Sequence, residues 1–174
     1  MSTMTSSDKD ANFLRNKLNK DRVVIEEFRG ETRVILDRDM VLQACQLLRD
    51  DLKYDLLAAL TAVDDWPNDP RFRVVYQFFS TSTNQSLGLE VRLMDEDPNV
   101  PSIENVYPNA NWHEREVYDM FGVVFDGHSD LRRIIMPHDW EGHPLRKDYP
   151  LGDEEVQFSF NFDEIDRRKR YASD

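Results

Sequence analysis

Leu87, Leu89, Val91 and Leu93 occupy every second position of the run from Leu87 to Met94. Successive side chains of an extended chain point to opposite faces, so this period commits the run to a half-buried β-strand. Arg71 to Ser80 carries the same alternation through Phe72, Val74, Tyr76 and Phe78, and the polar stretch Thr81 to Ser86 between the two runs reads as a turn. Upstream, Val23 to Phe28 and Arg33 to Leu36 are rich in β-branched residues and flank Arg29-Gly30-Glu31, which predicts a hairpin. Leu56 to Val63 is mostly apolar and fits either a central strand or a buried helix end.

Helices are expected between these strands. Ala11 to Lys20 places Phe13, Leu14 and Leu18 at helical spacing. Val41, Ala44, Cys45, Leu48 and Leu52 form one apolar stripe, with Asp37 or Asp39 placed to cap the helix that carries it. Asp64 to Pro70 is a loop, with two prolines. Ser102 can cap a brief helix ending near Tyr107. Asn109 or Asn111 then opens a further helix that Gly122 stops, and Val123 to Phe125 leaves it extended.

After Gly127 the periodicity disappears, and Pro137, Gly142, Pro144 and Pro150 punctuate a long irregular stretch. Backbone groups in such a stretch need water or a partner surface. Ile134, Ile135, Met136, Trp140 and Leu145 are apolar, so the stretch is expected to lie against its own domain or another chain. The expected fold class is therefore α+β: a small mixed or antiparallel sheet with packed helices, then an extended irregular C-terminal strap. Residues 1–10 are expected to be a disordered terminus, 11–126 the α+β domain and 127–174 the partner-binding segment.

The formal charge of −12 argues against nucleic acid, which needs a clustered basic surface. No apolar run approaches the roughly 20 residues that span a bilayer, and Met1 to Asp10 lack the basic start and apolar stretch of a signal peptide. A lone cysteine, Cys45, excludes an internal disulfide and any multi-cysteine metal cluster, and its apolar surroundings predict a buried structural thiol. These features fit a bacterial protein in, or facing, the cytoplasm.

Glu114, Glu116 and Asp119 crowd one predicted helix. Paired carboxylates can do acid/base work when their environments push their pKa values apart. The plainer reading is an acidic first turn favoured by the helix dipole, with Arg115 in ion pairs. His113, His128, His138 and His143 all fall in the last third, but their spacing matches no helical two-histidine zinc motif; Asp126 and His128 beside Gly127 suit a turn as well as a metal. No Gly-x-Ser-x-Gly elbow, Walker pattern or Gly-x-Gly-x-x-Gly occurs. Leu131-Arg132-Arg133-Ile134 and Trp140 to Pro150 mix Arg, Trp and Pro, residue types suited to an interface.

Glu114-Arg115-Glu116-Val117-Tyr118-Asp119-Met120-Phe121-Gly122-Val123-Val124-Phe125 resembles the signature of the 30 kDa (C) subunit family of respiratory complex I, the NADH-quinone oxidoreductase. That family also includes subunits of related quinone oxidoreductases and membrane hydrogenases. His128, Leu131, Arg133-Ile134 and Gly142-His143-Pro144-Leu145-Arg146-Lys147-Asp148-Tyr149-Pro150 continue the signature in order. The resemblance is close over Trp112 to Leu151, looser before that, and absent from the polar first residues. Ser129 departs from it, standing where the family usually has proline.

The resemblance implies a cofactor-free subunit of a proton-translocating NADH:quinone oxidoreductase, on the cytoplasmic face of the bacterial inner membrane. It implies that FMN and the iron–sulfur clusters lie in partner subunits and that no catalytic residue lies here. It also implies that the chain packs against the large D subunit, which helps form the quinone site, and has the B and I subunits as further partners. Because the chain ends soon after the strap, it resembles the stand-alone form of the subunit rather than a fused one. The expected partner interface is Glu114, Arg115, Glu116, Tyr118, Asp119, Gly122, His128, Arg133, Gly142, His143, Pro144, Leu145, Arg146, Lys147, Asp148, Tyr149 and Pro150, with Glu114 to Gly122 and Gly142 to Pro150 burying only on assembly. Two other readings are an equivalent subunit of a membrane-bound hydrogenase or plastoquinone-linked complex, and a stand-alone acid/base hydrolase using Glu114, Glu116 and Asp119.

Overall fold

The computed structural model describes residues 6–150 together with 163, 164 and 167. Five strands form one mixed sheet in the order β1 (Val23–Phe28), β2 (Glu31–Leu36), β5 (Gln85–Leu93), β4 (Phe72–Ser80), β3 (Leu56–Asp64). The β2–β5 pair is parallel and the other pairs are antiparallel. Helices α1 (Ser6–Lys17), α2 (Val41–Asp50) and α3 (Ala110–Phe121) contribute to one core with the sheet, and a short parallel pair, β6 (Asn99–Pro101) with β7 (Val124–Asp126), brackets α3. The α+β class expected from the sequence is the one observed.

The two alternating runs behave as their period dictates. Phe72, Val74, Tyr76 and Phe78 of β4 and Leu87, Leu89, Val91 and Leu93 of β5 are all buried on the helix-covered face. The opposite face of the sheet carries a charged cluster. There Glu90 is 1% exposed and receives Arg33 Nη1 and Arg92 Nε at 3.0 Å each, with Arg73 Nη1 at 3.6 Å. A carboxylate so enclosed needs such donors. The hairpin turn uses Arg29 and Gly30, both at positive φ (54° and 82°), as a two-residue turn matched to strand twist requires.

Several expectations are corrected. Leu56 to Val63 is a strand, but at the sheet edge rather than its centre, and α3 packs along it. A register shift between Leu57 and Ala59 breaks its period, which is why the sequence reads ambiguously. Neither Asp37 nor Asp39 caps a helix: a 3-10 turn, Arg38–Met40, precedes α2, and both carboxylates instead hold Arg22, at 2.6 and 2.7 Å. Ser102 opens a turn, not a helix, its Oγ accepting Glu104 N–H at 3.2 Å. Helix α1 starts at Ser6, so residues 6–10 are helical where a disordered terminus was expected; Thr32 Oγ1 binds Asp8 and Tyr54 Oη binds Asp10, which ties this end to the sheet. Residues 1–5, and the expected strap from 151 to 174 apart from 163, 164 and 167, lie outside the described residues.

Leu89 sits fully buried on the central strand, whereas Leu56 is 43% exposed on the edge. Leu89→Ala is expected to destabilise the fold by about 2–5 kcal/mol in urea unfolding, and Leu56→Ala by well under about 1 kcal/mol.

Candidate functional site

Helix α3 ends at Gly122, whose φ of 76° turns the chain into the left-handed region that glycine favours. An α-helix leaves its last four carbonyls without helical partners. Here all four are satisfied. Gly122 N–H donates to Tyr118 O at 2.9 Å; His143 Nδ1 lies 3.0 Å from Asp119 O; Leu145 N–H reaches Met120 O at 3.0 Å; and Arg146 Nε reaches Phe121 O at 2.6 Å. Three of the four donors come from the irregular segment that follows, so the strap is the C-cap of α3. A Cβ on Gly122 would meet Arg146 Nη2 and the His143 ring at 2.6 Å, so a side chain there would push the strap off.

Asp119 is the second attachment. Its carboxylate is fully buried, and Oδ2 accepts the backbone N–H groups of Ile134, Ile135 and Met136 at 3.0, 2.7 and 2.9 Å. Oδ1 accepts Arg133 Nη1 at 2.7 Å, and Arg133 Nη2 reaches on to Gly142 O at 2.9 Å. Burial by itself would raise the carboxyl's pKa; the three N–H groups and the guanidinium outweigh it and hold the pKa below its ordinary value. Asp119 is therefore an ionised structural anchor. One turn earlier, Arg115 Nε and Nη2 donate to Arg132 O and Arg133 O at 3.1 and 3.3 Å, and its guanidinium lies over the Trp112 ring at 5.2 Å.

A third clamp joins the far end of the strap to the sheet. Arg71 is 4% exposed and binds Asp64 through two hydrogen bonds, at 3.0 and 2.9 Å. The same guanidinium holds Asp148, at 3.0 and 2.5 Å, and Asp95 at 3.0 Å, while Lys147 N–H donates to Asp64 Oδ2 at 2.8 Å. Burial pushes the Asp64 pKa up, but Arg71 and the N–H groups of Lys147 and Trp66 bring it to about 2. Read from sequence, Asp64 to Pro70 is a plain loop, and this pair is missed. The available signal is an acid and a base flanking the connection between two strands, where antiparallel pairing of Asp64 with Phe72 brings Arg71 near.

Glu114 contrasts with Asp119 on the same helix. Fully buried, it accepts Ser102 Oγ–H at 2.6 Å and Ile103 N–H at 2.8 Å, and no lysine or arginine pairs with it among the described residues. Burial therefore prevails and its pKa is raised. His128 Nε2 stands 3.9 Å from it and 3.1 Å from Asn111 O, while Nδ1 accepts Asp130 N–H at 3.0 Å. With Nδ1 accepting, Nε2 is left to donate to Asn111 O.

The expected interface residues thus divide. Glu114, Arg115, Asp119 and Gly122 are already buried in the single chain, which overturns the expectation that Glu114 to Gly122 buries only on assembly. Tyr118 is half-buried with its ring against His143, and His128, Arg133, His143, Pro144, Arg146 and Tyr149 are half-buried. Glu116, Gly142, Leu145, Lys147, Asp148 and Pro150 are exposed. Gly142, at φ 84°, leaves room for the Tyr149 ring, which a Cβ would meet at 2.8 Å. Arg115 bonds carbonyls rather than the carboxylates expected, and no acid lies in the first turn of α3, so the dipole reading of this cluster is corrected too. Glu114, Glu116 and Asp119 do not converge on a shared substrate position: two are sealed by different partners and one is exposed. Burial pushes the Cys45 thiol pKa well up, as an inert structural thiol requires. Among the described residues no group of three or more His, Cys, Asp or Glu side chains is placed to hold a metal ion, and no helix is long and apolar enough to cross a membrane.

Residues 34–155 match the family model described as the respiratory-chain NADH dehydrogenase, 30 Kd subunit. The chain belongs to this family. Relatives named as the C subunit of NADH-quinone oxidoreductase include one from Roseiflexus castenholzii, 47% identical over 150 residues that cover 85% of this chain and 86% of that one. Another, from Geotalea uraniireducens, is 40% identical, covering 87% and 92%. A longer relative from Salinispora arenicola is 44% identical, and the alignment takes in 62% of its length. Among solved structures, a trypsin-resistant fragment of Nqo5 superposes with a TM-score of 0.60 at 29% identity, covering 71% of this chain and 97% of the fragment. A chain of a membrane-bound sulfane sulfur reductase, an archaeal respiratory membrane complex, gives 0.72 at 20% identity over 98% and 97%, a likeness of fold alone.

Two substitutions separate the roles of the α3 carboxylates. Asp119→Asn leaves too few acceptors for three N–H groups and Arg133, and is expected to cost about 3 kcal/mol in urea unfolding and to expose residues 127–150 to limited proteolysis. Glu114→Gln carries no charge, keeps the Ile103 N–H bond on its amide oxygen, and meets Ser102 Oγ with its NH2 as donor if the hydroxyl turns to accept. Because the folded-state pKa of Glu114 is raised, the unfolded chain releases its proton first, and wild-type stability falls as pH rises through the folded value. From about pH 4, the ordinary glutamate range, up to the folded-state value, the thermal midpoint of Glu114→Gln is expected to gain on that of wild type, and above it the difference levels off.

Proposed function

We propose that the chain is a structural, cofactor-free peripheral-arm subunit of a proton-translocating NADH:quinone oxidoreductase. In this reading it packs against the large D subunit at the quinone site, with the B and I subunits nearby, on the cytoplasmic face of the cell membrane. Electrons pass from NADH through FMN and iron–sulfur clusters of partner subunits to quinone, and this chain supplies no catalytic group to that translocase. The observation that carries the reading is the match of residues 34–155 to the 30 kDa subunit family, joined to the internal use of the chemistry-bearing side chains. The side chains that the clamps leave exposed, among them Glu116, Leu145 and Lys147, are available to a partner.

Tagged chain recovered from solubilised native membranes is expected to bring down flavin- and iron–sulfur-containing subunits with NADH:quinone activity, while the purified chain alone shows none. Recovery of a lone soluble monomer would overturn the proposal.

A further inference from the structure

Arg115 is a buried cation without an anion. It is 7% exposed, its described polar partners are the carbonyls of Arg132 and Arg133, and no carboxylate lies within ion-pair distance among the described residues. Carbonyl oxygens accept its hydrogen bonds but carry no net charge, so a guanidinium held this far out of water is left electrostatically incomplete. Its outer neighbour is the Trp112 ring, at 5.2 Å and 61% exposed.

Ile134 and Ile135 follow directly on the strap residues that Arg115 holds. Their side chains are 37% and 58% exposed, although Leu131 and Met136 on either side pack against the core. Asp119 pins the backbone N–H groups of both, so the apolar side chains are presented on a fixed frame. Binding there would forfeit little chain entropy. An exposed tryptophan, an arginine lacking an anion and two fixed isoleucines are the side-chain types that concentrate binding energy at protein interfaces.

We infer that Trp112, Arg115, Ile134 and Ile135 form a docking surface for a segment of another subunit that brings an aspartate or glutamate carboxylate, flanked by apolar side chains, onto the Arg115 guanidinium. The inference rests on the assembly role proposed above and names the patch and the chemistry of what covers it. Charge complementarity selects the occupant: the missing group at Arg115 is an anion, and Trp112, Ile134 and Ile135 are apolar, with the exposed Arg132–Asp130 pair adjoining them.

The test uses full-length tagged chain co-produced with the other subunits of its complex. A photo-reactive p-benzoylphenylalanine replaces Trp112 or, separately, Ile135, with Phe28 on the edge strand as the control position. Both patch positions are expected to capture the same subunit, through a peptide containing Asp or Glu, and Phe28 is expected not to. Arg115→Gln is expected to lower recovery of that subunit by about ten-fold, with Arg115→Lys retaining more of it than Arg115→Gln. The cross-link stands independently if the Arg115 variants fail to fold. Capture of a second copy of this chain, of lipid, of a peptide without a carboxylate, or of nothing while the complex still co-purifies would overturn the docking surface and leave the assembly role standing. Failure of any subunit to co-purify would overturn the assembly role, and the docking surface with it.

Discussion

The carboxylate of Asp119 is out of water near the end of α3, a position unfavourable to any anion without donors around it. Three consecutive backbone N–H groups and the Arg133 guanidinium supply them. The dependence runs both ways. Residues 134–136 belong to no regular structure, and their N–H groups find in Asp119 the acceptor that a sheet or helix would otherwise provide. Once that contact forms, the rest of the strap is within reach of the open end of the helix, where His143, Leu145 and Arg146 close the remaining carbonyls. The Arg71–Asp64 pair then fixes Lys147 and Asp148 to the sheet, so an irregular segment is held at three separated places.

The same helix shows how donor number decides the state of a buried acid. Asp119 meets four donors, one of them a cation, and its pKa is lowered; Glu114 meets two neutral donors and its pKa is raised. Nothing in the residue types alone separates the two. Both are acids on one helix, and the difference lies in what the chain brings to them from residues 102–103 and 133–136.

That is also the boundary of what the sequence discloses. The strands of the sheet were legible because alternation is local: β4 and β5 declare a buried face without reference to any other segment. The stop at Gly122 was legible for the same reason. The edge strand β3 was not, because a register shift at Leu57/Ala59 disturbs its period. The aspartates before α2 misled because both turn to Arg22, far back in the chain, and a 3-10 turn stands between them and the helix start. The attachments of the strap were beyond reach, since they join Asp119 to 134–136 and Asp64 to 147 through side-chain-to-backbone bonds that leave no periodic trace. The resemblance located these segments, yet it suggested an external interface where the structure first shows an internal lock.

An internal lock and an external interface are not competing uses of one segment. A strap held only at its ends would present its outer side chains on a moving frame, and a partner would have to order that frame on binding. Here the inward-facing groups, Asp119, Arg133, His143 and Arg146, satisfy one another and the helix end, so the outward-facing residues keep fixed positions before any partner arrives. Residues 115–122 and the segment 132–146 find hydrogen-bond partners in each other, and a change in either leaves a buried donor or acceptor unmatched. The chemistry of these residues is thus directed to making irregular backbone rigid before any partner arrives.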